Sequence, residues 1–206
     1  MVNIVTSAHD LNIWGSIWLN HETTHNLGMD DLYAYDREDP GNYNDLFRYS
    51  GQYSYMTYNS FEANAPGLFA WERWVLGWMD DDQVLCVNPF KDGEINELVT
   101  PIGKIGGVKA LVVPFSETSA LVVESRRPTG IDSQIAKAGA LVYVVDSSIP
   151  TGKGPIRVYP ASTDDPVLLQ STRAEGESVE VDGLKVEVTS AGDDGDSVQL
   201  QEIKKK

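Results

Sequence analysis

The sequence predicts an α+β fold, in which a first part with two helices and an ordered loop region (residues 1–80) precedes an all-β, sandwich-like domain (residues 81–206). Two observations predict this division. All five tryptophans and all three histidines lie in the first eighty residues. After Asp80 the pattern changes to short runs of β-forming residues separated by Gly, Pro, Asp and Asn, as in a β-sandwich.

Two helices are predicted in the first part. The first runs from about residue 12 to 26, because its apolar residues and one histidine recur at helical spacing: Ile13, Trp14, Ile17, Trp18 and His21. Gly28 follows at a position where a left-handed residue commonly ends a helix. The second helix spans residues 66–78, with Pro66 in its first turn and a buried stripe formed by Leu68, Trp71, Val75 and Trp78. Between the helices, residues 29–60 form an ordered loop region.

Seven strands are predicted in the second part: Val108–Val113, Ala120–Glu124, Ala140–Asp146, Ile156–Tyr159, Ser178–Val181, Leu184–Thr189 and Val198–Ile203. Asp182-Gly183 joins the fifth strand to the sixth and is typical of a two-residue hairpin turn. The single cysteine, Cys86, excludes an internal disulfide. It lies in the strand-like run 83–87, where we expect a buried, unreactive thiol.

Charge and hydropathy restrict the partners. The formal net charge of −15 argues against nucleic acid and anionic membranes. No run approaches the roughly 18 apolar residues of a membrane span. The first residues lack the basic and apolar segments of a signal peptide. We therefore expect either a cytoplasmic protein or a piece of a longer precursor.

One motif carries recognisable chemistry, His21-Glu22-Thr23-Thr24-His25. Histidines four residues apart on a helix point to the same side, which suits Zn²⁺ with its nitrogen ligands at roughly 2.0–2.1 Å. Glu22 is placed to act as general base towards a metal-activated water. Asp31 follows His25 by six residues, beyond the glycine turn, so it can fold back as the third ligand.

With the segment Ser54-Tyr55-Met56-Thr57-Tyr58, this run resembles the metzincins, zinc proteases with an extended zinc helix and a methionine-containing turn below the metal. Within that clan the chain is similar to the M6 family, the immune inhibitor A type. The run from His21 to Asp31 carries this likeness, supported by residues 69–78, which end in Leu-Gly-Trp, and by residues 122–132 and 139–146. The resemblance covers about residues 14–160.

The resemblance implies a secreted zinc endopeptidase that acts on protein or peptide substrates. It implies His21, His25 and Asp31 as zinc ligands and Glu22 as the base. It also makes Met56 the Met-turn residue and Tyr58 a donor to the oxyanion. The chain departs from the family pattern at Thr24 and at Met29-Asp30. Few residues precede the first helix, so we expect the C-terminal part of a metzincin-like catalytic domain followed by the β domain.

Two alternatives stay open at this stage. The chain could instead be a non-catalytic β-sandwich module that binds protein or glycan and carries a metalloprotease remnant. A loop rich in oxygen ligands could also hold Ca²⁺, although a solvated polar loop explains the same residues: Asp36, Glu38, Asp39, Asn42, Asn44 and Asp45.

Overall fold

The structure, a computed structural model, describes residues 8–39, 41–57, 66–162, 164–165 and 167–204. Its α-helices are α1 (Ala8–His25), α2 (Ala70–Val75) and α3 (Pro89–Asp92), and single 3₁₀ turns occupy Tyr43–Phe47, Asp81–Gln83 and Gly130–Asp132. The strands are β1 (Val84–Cys86), β2 (Ile95–Val99), β3 (Ala110–Pro114), β4 (Ser119–Arg126), β5 (Gly139–Asp146), β6 (Ile156–Val158), β7 (Ser178–Val181), β8 (Leu184–Gly192) and β9 (Gly195–Glu202). Within the described residues, no helix has the length and apolar character needed to cross a membrane.

The strands form two sheets. The five-stranded sheet has the order β1-β3-β4-β5-β6, with β1 parallel to β3 and the other pairs antiparallel. The four-stranded sheet has the order β2-β9-β8-β7 and is antiparallel throughout. The α+β class that the sequence predicts is therefore confirmed, with more sheet than helix, and the two sheets are compatible with a sandwich-like body.

The five-stranded sheet is apolar on both faces because alternate residues of each strand point to opposite sides. Leu111 and Val123 on one face pack with Val186 and other residues of the four-stranded sheet. Residues such as Val122 on the other face pack with Met56 and other apolar residues of the first part. Each such buried aliphatic side chain contributes roughly 1.5–3 kcal/mol. One hydrophobic cluster thus includes residues from both sides of the predicted domain boundary at residue 80, which itself stays a prediction.

The seven predicted strands are all present, with shifted ends. The hairpin is confirmed: Val181 pairs with Leu184, and the turn residues Asp182 and Gly183 have φ of 46° and 87°. Strand β2 was not predicted, because its central Asn96 and Glu97 have low β propensity. The expectation of a buried thiol is wrong: Cys86 is exposed at the end of the three-residue edge strand β1.

Both helices differ from prediction in extent. Helix α1 begins earlier, has a non-helical residue at Gly15 (φ 71°, ψ −169°) and ends at His25, with Gly28 left-handed at φ 93°. Helix α2 is much shorter than predicted at both ends. Residues 66–69 are not helical, so Pro66 does not lie in its first turn, and Gly77 adopts φ 70°, which ends the helical path. The predicted buried stripe is consequently wrong at Val75 and Trp78, which are 55% and 57% exposed.

Candidate metal centre

The C-terminal end of α1 presents two imidazoles to one point. His21 and His25 lie one helical turn apart, with ring centroids 4.8 Å from each other and ring planes at 86°. Beyond His25, the amide of Gly28 donates to the carbonyl of His25, and the chain turns back. This turn brings Asp31 to the histidines, so that one ligand atom from each of the three side chains lies within 4.8 Å of the others.

The histidines present their Nε2 atoms to Asp31. Its Oδ1 lies 2.9 Å from Nε2 of His21 and 3.2 Å from Nε2 of His25. On the other side of each ring, Nδ1 of His21 donates to the carbonyl of Tyr55 at 2.8 Å, and Nδ1 of His25 to that of Met29 at 2.7 Å. A carbonyl can only accept, so each Nδ1 carries a hydrogen and Nε2 is the atom left for a metal. Histidine ligands in proteins are commonly oriented in this way.

The electrostatics of the cluster favour a cation. Asp31 is only 8% exposed. Burial opposes its ionisation, but the hydrogen bonds from His21, His25 and Tyr35 outweigh burial and hold the pKa of Asp31 below its ordinary value. The hydrogen bond to Asp31 is the largest cause that raises the pKa of His25, to about 9. A buried carboxylate that stays ionised beside two imidazoles attracts positive charge, whether a proton or a metal ion.

The donor set fits zinc. Two imidazole nitrogens and one carboxylate oxygen are ligand types that Zn²⁺ accepts, and three protein ligands are the number found at catalytic zinc sites. Both histidines also have the backbone partners that fix their rings. His21, His25 and Asp31, predicted separately from spacing and resemblance, are therefore brought together in an arrangement that could hold the ion.

Glu22 lies beside this cluster. It is half-buried on α1, next to His21 in the chain. Its negative charge is the smallest of the causes that raise the pKa of His25. Thr24, where the sequence departs from the family pattern, is 4% exposed and donates to the carbonyl of Asn20 at 2.7 Å. Because its hydroxyl hydrogen is used there, Thr24 accepts the 3.2 Å hydrogen bond that it shares with the hydroxyl of Tyr55.

Met56 lies in a tight turn against the cluster. The amide of Thr57 donates to the carbonyl of Ser54, and the Met56 side chain is fully buried. The turn contacts both ligand segments, since the Tyr55 carbonyl accepts from His21 and the Met56 carbonyl accepts from the amide of Leu32. A turn at the predicted place is thus part of the structure, while its identity as a Met-turn stays a prediction. Tyr58 lies outside the described residues.

The polar loop, for which calcium binding was one of two alternatives, uses several of its oxygens in hydrogen bonds and ion pairs within the loop and with Lys153. Asp45 accepts from the amide of Glu38 and pairs with Arg48 at 3.0 Å. Asp39 accepts from the amide of Gly41, and the side chain of Asn42 accepts from the amide of Asn44. Asp36 forms an ion pair with Lys153. These contacts do not test calcium binding, which stays a prediction.

Sequence reasoning missed three side chains around the cluster. The hydroxyl of Tyr35 donates to Oδ2 of Asp31, and Thr151 Oγ1 accepts from the Asp31 amide. The ring of Tyr33 lies 6.2 Å from that of His21, and burial followed by the charge of Asp31 raises the pKa of Tyr33. The two tyrosines follow Asp31 closely in the chain, which was the available signal. Thr151 is 120 residues away, and the sequence carries no signal for it.

No family model, curated protein or solved structure in the comparisons matches this chain. The functional interpretation of the cluster rests on its own residues and their geometry.

Proposed function

We propose that this chain carries the zinc centre of a metalloendopeptidase and hydrolyses peptide bonds of protein substrates. One observation carries the proposal: two Nε2 atoms and one oxygen of a buried carboxylate meet at the end of α1. The backbone bonds at both Nδ1 atoms support it, because they leave Nε2 as the ligating atom of each ring.

Each residue of the site has its own role in the proposed reaction. His21, His25 and Asp31 would hold the ion, with the anionic Asp31 reducing its net positive charge. Zinc bound there would supply Lewis-acid polarisation of the scissile carbonyl and would acidify a water molecule. Glu22, the neighbour of His21, accepts the proton of the attacking water and returns it to the leaving amine. The carbonyls of Tyr55 and Met29 orient the two imidazole rings so that their Nε2 atoms face Asp31.

A finer assignment belongs to the same proposal. The resemblance of the motif supports a metzincin of the M6 type, with Met56 as the Met-turn residue and Tyr58 as a donor to the oxyanion. The buried turn that contacts His21 through Tyr55 agrees with this assignment. Secretion to the cell exterior is proposed from the resemblance.

Cleavage of a denatured protein by the zinc-loaded chain, compared with a Glu22→Gln variant, tests the function. We expect the substitution to slow cleavage by about 10²-fold or more, because a general base contributes roughly 10²–10⁴-fold. The parent chain and Glu22→Gln should contain equal amounts of zinc, since Glu22 is not a ligand. Glu117→Gln, at an exposed residue between β3 and β4, is the matched control.

Equal cleavage rates for the parent and Glu22→Gln would refute Glu22 as the base. A zinc-loaded parent chain that cleaves no protein would refute the peptidase and favour the non-catalytic binding module.

A further inference from the structure

We infer that Tyr35 and the turn at Thr151-Gly152, between β5 and β6, are positioning residues of the metal centre. They hold the Asp31 carboxylate so that one of its oxygens faces both histidines. This inference rests on the proposed function, because it concerns how the third ligand of the same site is oriented.

The two oxygens of Asp31 have separate partners. Oδ1 faces the Nε2 atoms of His21 and His25, whereas Oδ2 accepts the hydroxyl hydrogen of Tyr35 at 2.5 Å. The terminal torsion of an aspartate is broad, so its carboxylate rotates easily unless a neighbour fixes it. A hydroxyl that donates to an ionised carboxylate makes one of the stronger hydrogen bonds in proteins. Tyr35 therefore selects which oxygen is offered to the metal.

The Thr151-Gly152 turn fixes the backbone of Asp31. The Asp31 amide donates to Thr151 Oγ1 at 2.9 Å, and the amide of Gly152 donates to the Asp31 carbonyl at 3.0 Å. The same turn also holds Tyr35, whose amide donates to the carbonyl of Gly152 at 3.0 Å. The ligand and the residue that orients its carboxylate are thus held by one segment of the β-rich part.

Gly152 explains how these groups approach so closely. Its φ is +69°, and a Cβ at this position would lie 2.2 Å from Cγ of the Tyr35 ring. The ring therefore lies directly on the glycine backbone. Any side chain at residue 152 would displace the ring from Asp31.

Tyr35 is suited to a test because it is 48% exposed and phenylalanine keeps its ring, so Tyr35→Phe removes only the hydroxyl. We would measure zinc affinity of the full chain by competition with a chelating indicator, comparing the parent with Tyr35→Phe. We expect the affinity to fall by about 10–100-fold, as is typical when a residue that orients a metal ligand is removed. Tyr43→Phe, at a residue 64% exposed whose ring lies near the guanidinium of Arg37, is the matched control and should leave affinity unchanged.

A spectroscopic readout separates positioning from general structural support. The visible absorption of the Co²⁺-loaded chain reports the ligand arrangement, and we expect it to change in Tyr35→Phe but not in Tyr43→Phe. Thr151→Val removes the acceptor for the Asp31 amide and should also weaken zinc binding. Thr151→Ser retains that acceptor and should restore parental affinity.

Unchanged zinc affinity and an unchanged Co²⁺ spectrum in both Tyr35→Phe and Thr151→Val would overturn the inference and leave the zinc centre standing. A folded parent chain that binds neither zinc nor cobalt would overturn the zinc centre itself, and the inference with it. The parent measurement therefore distinguishes the two failures.

Discussion

At the scale of single residues, the structure places two ionisable groups in buried surroundings with opposite results. Asp31 keeps its charge because three hydrogen bonds are directed at its carboxylate. Glu72 on α2 is 3% exposed, and burial raises its pKa to about 7, despite hydrogen bonds from the Phe69 amide and Ser54 Oγ. The first arrangement suits a cation site, and the second makes folding sensitive to pH.

We predict that Glu72 lowers stability as pH rises. The folded state retains the Glu72 proton that the unfolded chain releases above its ordinary pKa of 4.5. The free energy of unfolding should therefore fall between pH 4.5 and 7, by about 3 kcal/mol from this group. Glu72→Gln keeps an acceptor oxygen but cannot ionise, so the contribution of this residue to the fall in the free energy of unfolding should disappear. Urea unfolding at both pH values measures it, with Glu117→Gln as the control, and an unchanged pH dependence in Glu72→Gln would contradict the assignment.

At the scale of elements, the end of helix α1 was predictable, whereas the bounds of the second helix were not. The spacing of His21 and His25 and the glycine after them establish where α1 must end. The pattern before α2 predicts helix, yet Gly67 lies outside any helix. Its amide donates to the carboxylate of Asp132, and its carbonyl accepts from Arg126. Helix α2 begins at Ala70, whose amide donates a hydrogen bond to the carboxylate of Glu124. Such contacts depend on residues more than fifty positions away, so local patterns could not reveal them.

We predict that Gly28→Ala destabilises the protein by about 1 kcal/mol, because Gly28 has φ +93° and an alanine there is strained. No atom lies within 4 Å of the added Cβ, so the effect is one of backbone conformation and not of a clash. Chemical denaturation measures the loss. Gly103→Ala, also with open space around its Cβ but without a positive φ, is the control. Equal stability changes in the two variants would contradict this explanation.

At the scale of the whole molecule, a buried charge network joins the first part to the five-stranded sheet. Arg126 on β4 is fully buried, pairs with Glu124 at 2.7 Å and Asp132 at 3.1 Å, and donates to the carbonyl of Tyr53 at 2.9 Å. The predicted strand, Ala120–Glu124, ended before Arg126, which lies at the end of β4. The role of Arg126 was not predicted, because charged residues usually face solvent. The three side chains of the candidate metal centre could be predicted from the motif, whereas their contacts in the β-rich part, such as Thr151, could not.

Arg126→Met should destabilise the protein by about 3–5 kcal/mol, because it leaves Glu124 and Asp132 buried without their cation. Lys104→Met is the control. The Lys104–Asp194 pair is 44% and 86% exposed at its two side chains, so solvent screens it and its loss should change stability little. Urea unfolding compares the two variants, and a loss of under about 1 kcal/mol for Arg126→Met would show that the network does not hold the parts together.

The central claim, that His21, His25 and Asp31 form a zinc centre, is tested most directly by the zinc content of the purified, folded chain. The parent and His21→Ala would be supplied with zinc, freed of excess ion and measured by elemental analysis. We predict about one zinc ion per parent chain and a large loss in the variant, because only two of three protein ligands remain. A folded parent chain without zinc, or a variant that retains as much zinc as the parent, would contradict the account.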